Sequence, residues 1–198
     1  MFPEDSDAHP RTPNDALDHL LAGNRRFQAG QHVAMNRDLE RLAQFRGQQA
    51  PYAAVLGCAD SRVPVEILFD QGLGDLFVTR LAGNVATAEV IGTLEFAVAV
   101  LDVVLVLVLG HSQCGAVRAT RERADQPGLI GTLYPYIYPA FLVKGHEGLD
   151  AVIHENVRHQ VDVLRQASPV LSARMREGRL RVEGAVFDFE TGAVTLLG

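Results

Sequence analysis

Two kinds of hydrophobic period alternate along the chain. After Asn14, a residue type that caps helices, Leu17, Leu20, Leu21 and Phe27 recur at helical spacing and predict a first helix. A second short helix is expected from about Arg37 to Phe45. Both precede the first buried strand, so the expectation for them is an arm packed on a neighbouring subunit. Tyr52 to Gly57 reads as a short apolar strand, and Pro64 suits the first turn of a helix over Val65 to Phe69. The Gly-rich break around Gly72 leads into a second strand, Leu76 to Arg80. Thr87 is the expected N-cap of a helix running to Leu101. Val103 to Leu109 is apolar at every position and rich in β-branched residues, as a strand covered on both faces requires. A helix should follow from Gly115.

The order is helix, helix, then strand–helix three times, which predicts an α/β fold with a mainly parallel sheet flanked by helices. The stretch from Asp125 to Phe141, with three of the four tyrosines, reads from its prolines as irregular or as a broken helix. Leu149 to Gln166 is a long amphipathic helix and Pro169 to Glu177 a shorter one. Arg181 to Asp188 and Ala193 to Leu197 flank the turn Glu190-Thr191-Gly192 and read as a closing hairpin or edge strands. Residues 1–13 are expected to be a flexible arm, and 14–198 a single domain.

Composition narrows the class. Apolar residues make up 47% and charged residues 21%, an ordinary soluble balance. A net charge of −6 argues against nucleic-acid binding through a basic stripe. The longest apolar run, Val103 to Leu109, is far short of the roughly 20 residues of a membrane span. The polar start has no apolar signal segment, so a cytoplasmic location is expected. Only two cysteines, Cys58 and Cys114, are present, too few for a disulfide scaffold of this size.

Those two cysteines fall in the chain's two chemically dense segments: Gly57 to Arg62, after the first strand, and Gly110 to Gly115, after the third. Ligands of parallel sheets bind beyond the carboxyl ends of the strands, so the two segments meet if the strands are neighbours. Zinc favours thiolate and imidazole ligands, and a catalytic site keeps three of them with one open position. Cys58, His111 and Cys114 supply three. A lone cysteine after a strand is often a small buried hydrophobe, and a lone His-x-x-Cys is a weak signal. The combination carries more weight. Cys114 also precedes a helix N-terminus, which favours the thiolate. Asp60 and Arg62 sharpen the picture, since a bidentate arginine keeps a carboxylate ionised and able to accept a hydrogen bond from water. An isolated Asp-x-Arg would be a loop salt bridge of little energetic value.

With Cys58-Ala59-Asp60-Ser61-Arg62, His111-Ser112-Gln113-Cys114 and a separation of 53 positions between Cys58 and His111, the chain resembles the β-class carbonic anhydrases. The resemblance runs from about Gln49 to Ala140 and includes the segment Asp75 to Asn84. It implies a zinc enzyme for reversible hydration of carbon dioxide to bicarbonate and a proton, built as a homodimer or an assembly of dimers. It implies zinc ligation by Cys58, His111 and Cys114, and an Asp60–Arg62 pair that orients the reacting water. Gln49 matches a glutamine that donates to bicarbonate, Phe77 an aromatic residue of the substrate pocket, and Gly115 a glycine whose amide faces substrate. A tryptophan that forms an inhibitory bicarbonate site in one branch is replaced here by Val55, and Ala82 stands where valine is frequent. His146, His154 and His159 are proton carriers by composition only. Two rival readings remain: hydrolysis of carbonyl sulfide or carbon disulfide on the same site, and a non-enzymatic zinc or thiol redox sensor.

Overall fold

The computed structural model describes residues 9–34, 36–122 and 126–198, so most of the arm expected over residues 1–13 lies outside the described residues. Five strands form one sheet: β1 (Ala53–Gly57), β2 (Leu76–Arg80), β3 (Leu105–His111), β4 (Arg181–Phe187) and β5 (Val194–Leu197). Their order is β2-β1-β3-β4-β5; the first three pairings are parallel and β4–β5 is antiparallel. The closing hairpin is therefore present, with β4 an interior strand and β5 an edge. Every residue of β1 and β3 is buried, as their apolar runs demand.

Alternate residues of these strands face two different layers. Ala54, Leu56, Val106 and Val108 pack against α4 (Ala88–Ala99), α6 (Tyr134–Lys144), α7 (Leu149–Ala167) and α8 (Pro169–Arg176). Ala53, Val55, Leu105, Leu107 and Leu109 face α1 (Pro13–Gln28) and the short α3 (Val65–Leu68). Gly110 lets α7 come close, because a Cβ there would run into Val157. Among the described residues, no helix is long and apolar enough to cross a membrane.

Several expectations are corrected. The first helix begins at Pro13, with Thr12 as its cap accepting from the Asp15 amide at 3.2 Å. Asn14 instead accepts a hydrogen bond from Arg181 at 2.8 Å. This helix does not wait for a neighbour: Ala16, Leu17 and Leu20 are buried in the chain's own core. Buried Asn24 ties it down by donating to the carbonyls of Leu68 and Gly192 and accepting from the Val194 amide. By contrast, α2 (Leu39–Gln44) buries nothing and leaves Leu39 81% exposed. Pro64 occupies the cap of α3 rather than its first turn.

Tyr134 to Pro139 is helical throughout. Pro135 lies in the first turn, where its missing N–H costs nothing. Pro139 removes one internal bond, and burial of Ile137 and Ala140 in the core holds the helix together across it. The third strand starts two residues later than its apolar run and extends to His111, because its ladder to β4 continues through Gly110–Val186 and His111–Phe187. That extension makes His111 part of a rigid strand.

Candidate metal centre

The carboxyl ends of β1 and β3, adjacent strands, bring the two chemically dense segments together. Cys58 follows β1 directly and faces the α4–α7 layer. After His111, a turn with Gln113 in the left-handed region (φ 56°) sends the chain back, and Cys114 immediately precedes α5 (Gly115–Glu122). The ligand atoms of Cys58, His111 and Cys114 all lie within 4.8 Å of one another, and all three residues are buried.

The imidazole is oriented for ligation. Its Nδ1 lies 2.9 Å from the Ser112 carbonyl, which can only accept, so Nδ1 carries the proton and Nε2 the lone pair. Nε2 is buried and has no hydrogen-bond partner among the described residues. Hydrogen bonding from the Cys114 side chain draws the Cys58 thiol well below its ordinary range, against the effect of burial. The Gly83 amide adds to this with an N–H···S contact of 3.3 Å. The same shared bond, together with burial, pushes Cys114 up. Two thiol groups and a lone pair converging in a buried space make a donor set that fits a divalent metal ion.

Asp60 and Arg62 stand beside this trio. The guanidinium grips the carboxylate through Nε to Oδ1 at 2.9 Å and Nη2 to Oδ2 at 2.8 Å, and the Arg62 amide donates to Oδ1 as well. The Arg62 hydrogen bonds, outweighing burial, hold the Asp60 carboxyl well below the usual carboxylate range. Oδ2 lies 3.9 Å from His111 Nε2.

Other residues, not singled out from the sequence, hold the site in place. Arg80, at the end of β2, donates to the carbonyls of Cys58 at 2.9 Å and Asp60 at 2.5 Å. Asn156 and Gln160 on α7 pin the segment that carries the Gly83 amide, binding the Gly83 carbonyl at 3.0 Å and the Ala86 amide at 2.9 Å. Both are buried, on the same stripe of α7 as Val152 and Leu164. Their place in that apolar stripe was the available signal. Gly83 itself has φ 74°, and a Cβ there would sit 2.7 Å from Ile137.

The remaining expected site residues are placed unevenly. Phe77 on β2 packs against the cluster that contains Cys58 and Cys114, with the Phe96 ring 6.2 Å away. Gly115 opens α5 next to Cys114 and is exposed. Gln49 is exposed in the segment before β1, and the contacts of this chain do not bring it to the trio. A cavity of about 1620 Å³ lies elsewhere, lined by His9, His19, Arg41, Tyr52, Asp70 and Asp75 among others but by none of the trio. Its size does not make it the site of chemistry, because its carboxylates are already bound by arginines.

Comparison with known proteins agrees with this geometry. Residues 53–194 match the carbonic anhydrase family. A carbonic anhydrase of Mycolicibacterium smegmatis is 39% identical over 191 residues, covering 93% of each chain. Carbonic anhydrase 2 of Mycobacterium tuberculosis is 37% identical, covering 93% of this chain and 92% of the relative. A solved Coccomyxa β-carbonic anhydrase, in complex with acetazolamide, superposes with a TM-score of 0.69 at 29% identity, over 91% of this chain and 86% of that one. The fold is also that of the tetrameric β-carbonic anhydrases of Sordaria macrospora, with a TM-score of 0.73 at 24% identity, over 93% and 98% of the chains. The mainly parallel sheet, the convergence of Cys58, His111 and Cys114 at the carboxyl ends of its central strands, and these relatives together place the chain in the β-class carbonic anhydrase family.

Proposed function

We propose that the chain binds one zinc ion through Cys58, His111 and Cys114 and hydrates carbon dioxide reversibly to bicarbonate and a proton. The observation that carries the reading is His111 Nε2, buried, unpartnered among the described residues and facing both sulfurs. Thiolate and imidazole donors suit zinc, and three of them leave a fourth position open. Zinc held there would lower the pKa of a water and supply a nucleophile near neutral pH.

The chain's own residues orient that water and receive the substrate. Asp60, kept ionised by Arg62, can only accept hydrogen bonds. Its Oδ2 would accept a hydrogen bond from that water and so leave the oxygen lone pair turned toward carbon. A protonated carboxyl would donate instead and turn the water the wrong way. Phe77, with Phe96 beside it, offers apolar surface to an uncharged linear substrate. The Gly115 amide, at the N-terminal turn of α5, suits the anionic product. Gln49 enters the proposal as a bicarbonate donor reaching across a subunit contact, since it stands apart from the trio within one chain. The bare apolar face of α2, with Leu39 and Leu42 exposed, supports assembly into dimers or multiples of them. The proposed setting is the cytoplasm, where two thiols stay reduced.

A redox sensor would use the two thiols and leave the Asp60–Arg62 grip without a task. Metal analysis of the purified protein beside stopped-flow hydration of carbon dioxide tests the reading, with carbonyl sulfide and carbon disulfide assayed in parallel. About one zinc per chain and rapid hydration are expected. A zinc-free active protein, or one that hydrolyses carbonyl sulfide while leaving carbon dioxide untouched, would replace it.

A further inference from the structure

The geometry points to Phe189 as a positioning residue that locks Arg62, and through it Asp60, against the His111 imidazole. This rests on the reading of Asp60 and Arg62 given above. Phe189 lies in the link from β4 to β5, far along the chain from both partners. Its ring centroid is 5.1 Å from that of His111, and the Arg62 guanidinium carbon sits 4.2 Å from the same ring centroid. One side chain thus touches the imidazole that faces the thiols and the guanidinium that holds the carboxylate.

The ring is itself held in place. The Phe189 amide donates to Ser112 Oγ at 3.0 Å, and the Ser112 amide donates to the Phe187 carbonyl at 2.9 Å. Ser112 is also the residue whose carbonyl sets the His111 tautomer. Phe187 meets the Phe189 ring edge-on, with centroids 5.6 Å apart and planes 80° apart. The end of β4 therefore carries a rigid aromatic plate tied to the turn that bears His111.

Arg62 needs such a plate. Its side chain is 55% exposed, and its other described contacts all go to Asp60, only two residues away. A long side chain bound only to a carboxylate two residues away moves together with that carboxylate. The cation–π contact supplies a second anchor from a strand end. It sets the guanidinium, hence the carboxylate, at a constant position with Oδ2 3.9 Å from Nε2.

The test uses the whole chain and two variants, Phe189→Leu, which keeps an apolar side chain without a π face, and Phe189→Tyr, which keeps the ring. In the metal-free protein, the Hδ resonances of Arg62, assigned by their disappearance in Arg62→Lys, should be shifted upfield by the ring, and its Nε–H protected from exchange by Asp60. Phe189→Leu should return the Hδ shifts toward the ordinary arginine position and speed the Nε–H exchange, whereas Phe189→Tyr should leave both in place. In the zinc-loaded enzyme, Phe189→Leu should retain the metal and lose about three-fold in kcat/KM, the scale of one exposed cation–π contact. Phe189→Tyr should restore it.

An Arg62 signal at the ordinary position in the wild-type protein overturns the inference even if the leucine variant fails to fold. So does a signal that Phe189→Leu moves while kcat/KM stays unchanged, or an equal loss in both variants. Full activity in Asp60→Asn would instead remove the water-orienting reading and leave the Arg62 shift intact, so the two failures are distinguishable.

Discussion

Asp60 and Asp70 are both gripped by arginine and both held below the ordinary carboxylate range, yet only one has an acceptor site to spare. Asp70 follows α3 at the opposite end of the sheet from the trio, and its side chain is fully buried. It takes four hydrogen bonds, from Arg26 at 2.7 Å, the Val33 amide at 3.1 Å, the Ala34 amide at 3.2 Å and Arg37 at 3.2 Å. Burial alone would raise this carboxyl; the Arg26 bond and the two amides outweigh it. Two carboxylate oxygens have about four acceptor positions, so Asp70 is saturated. Among the described residues, Asp60 receives three bonds, all from Arg62, and only one of them falls on Oδ2. The position left over is on the oxygen nearest His111 Nε2. On the proposed function, the same ion pair is structural where every acceptor is filled and chemical where one is kept open.

The harshest way to break the comparison is to take away what faces the open position. His111→Ala removes the imidazole and leaves two thiols, too few to hold zinc in competition with water. The expected outcome is loss of bound metal and of hydration activity down to background, read by metal analysis and stopped-flow assay. A variant that keeps stoichiometric zinc would show that His111 is not a ligand.

Asp60→Asn is the next largest. It preserves shape and the metal ligands while replacing an obligate acceptor with an amide that also donates. Zinc content should be unchanged and kcat/KM should fall about 100-fold, at the upper end of losses for groups just outside the metal ligands. Thermal stability should change little, because the Arg62 partner is mostly in water. Full activity would dissolve the contrast with Asp70.

What the sequence made legible follows from how local each feature is. Cys58, Asp60 and Arg62 lie within one turn of chain, as do His111 and Cys114, and the apolar runs of β1 and β3 say where each group ends up. Residues whose roles are made by distant partners were hidden. Arg80 looks like any strand-end arginine until its bonds to the Cys58 and Asp60 carbonyls are seen. Asn24 looks like one polar position on an amphipathic helix, but its bonds span to Leu68, Gly192 and Val194 and seat α1 in the core. That is why the first helix was expected on a neighbour and is found at home, while α2, tied down through Arg41 to the Leu73 carbonyl and Asp75 but burying no side chain, keeps its apolar face bare. The two prolines of α6 misled for another reason. Proline position within the first turns, and burial of Ile137 and Ala140, decide whether a helix survives, and neither is written in the prolines themselves.

Asp70→Asn tests the structural half of the comparison. The amide nitrogen would confront a guanidinium where an oxygen now accepts, leaving the Arg26 or Arg37 contact unmade. Removing one member of a buried charge pair costs about 3 kcal/mol, and for a chain of this size that lowers the unfolding midpoint by roughly 10 °C. Calorimetry on the zinc-loaded protein reads the shift. The kcat/KM per folded chain should stay at the wild-type value, since Asp70 anchors the end of α1 and the link that follows it and touches none of the trio. Loss of activity in the folded variant would mean that the two ends of the sheet are coupled.

The smallest effect is the pH dependence that Asp70 imparts. An unfolded aspartate titrates near 3.9, and in the folded chain this carboxyl is held lower. The unfolded state therefore binds the proton first as the solution is acidified. The stabilisation from Asp70 is complete above the unfolded value and is lost as pH falls through the folded one. Between neutral pH and about pH 5 the difference in stability between wild type and Asp70→Asn should be flat. Below about pH 4 it should shrink, because the wild type gives up what the variant never had. Asp60 titrates in the same direction in both proteins and cancels in that difference. A difference that stays constant down to acid unfolding would show that the four donors around Asp70 stabilise the neutral carboxyl as well as the charged one, and saturation would then no longer separate it from Asp60.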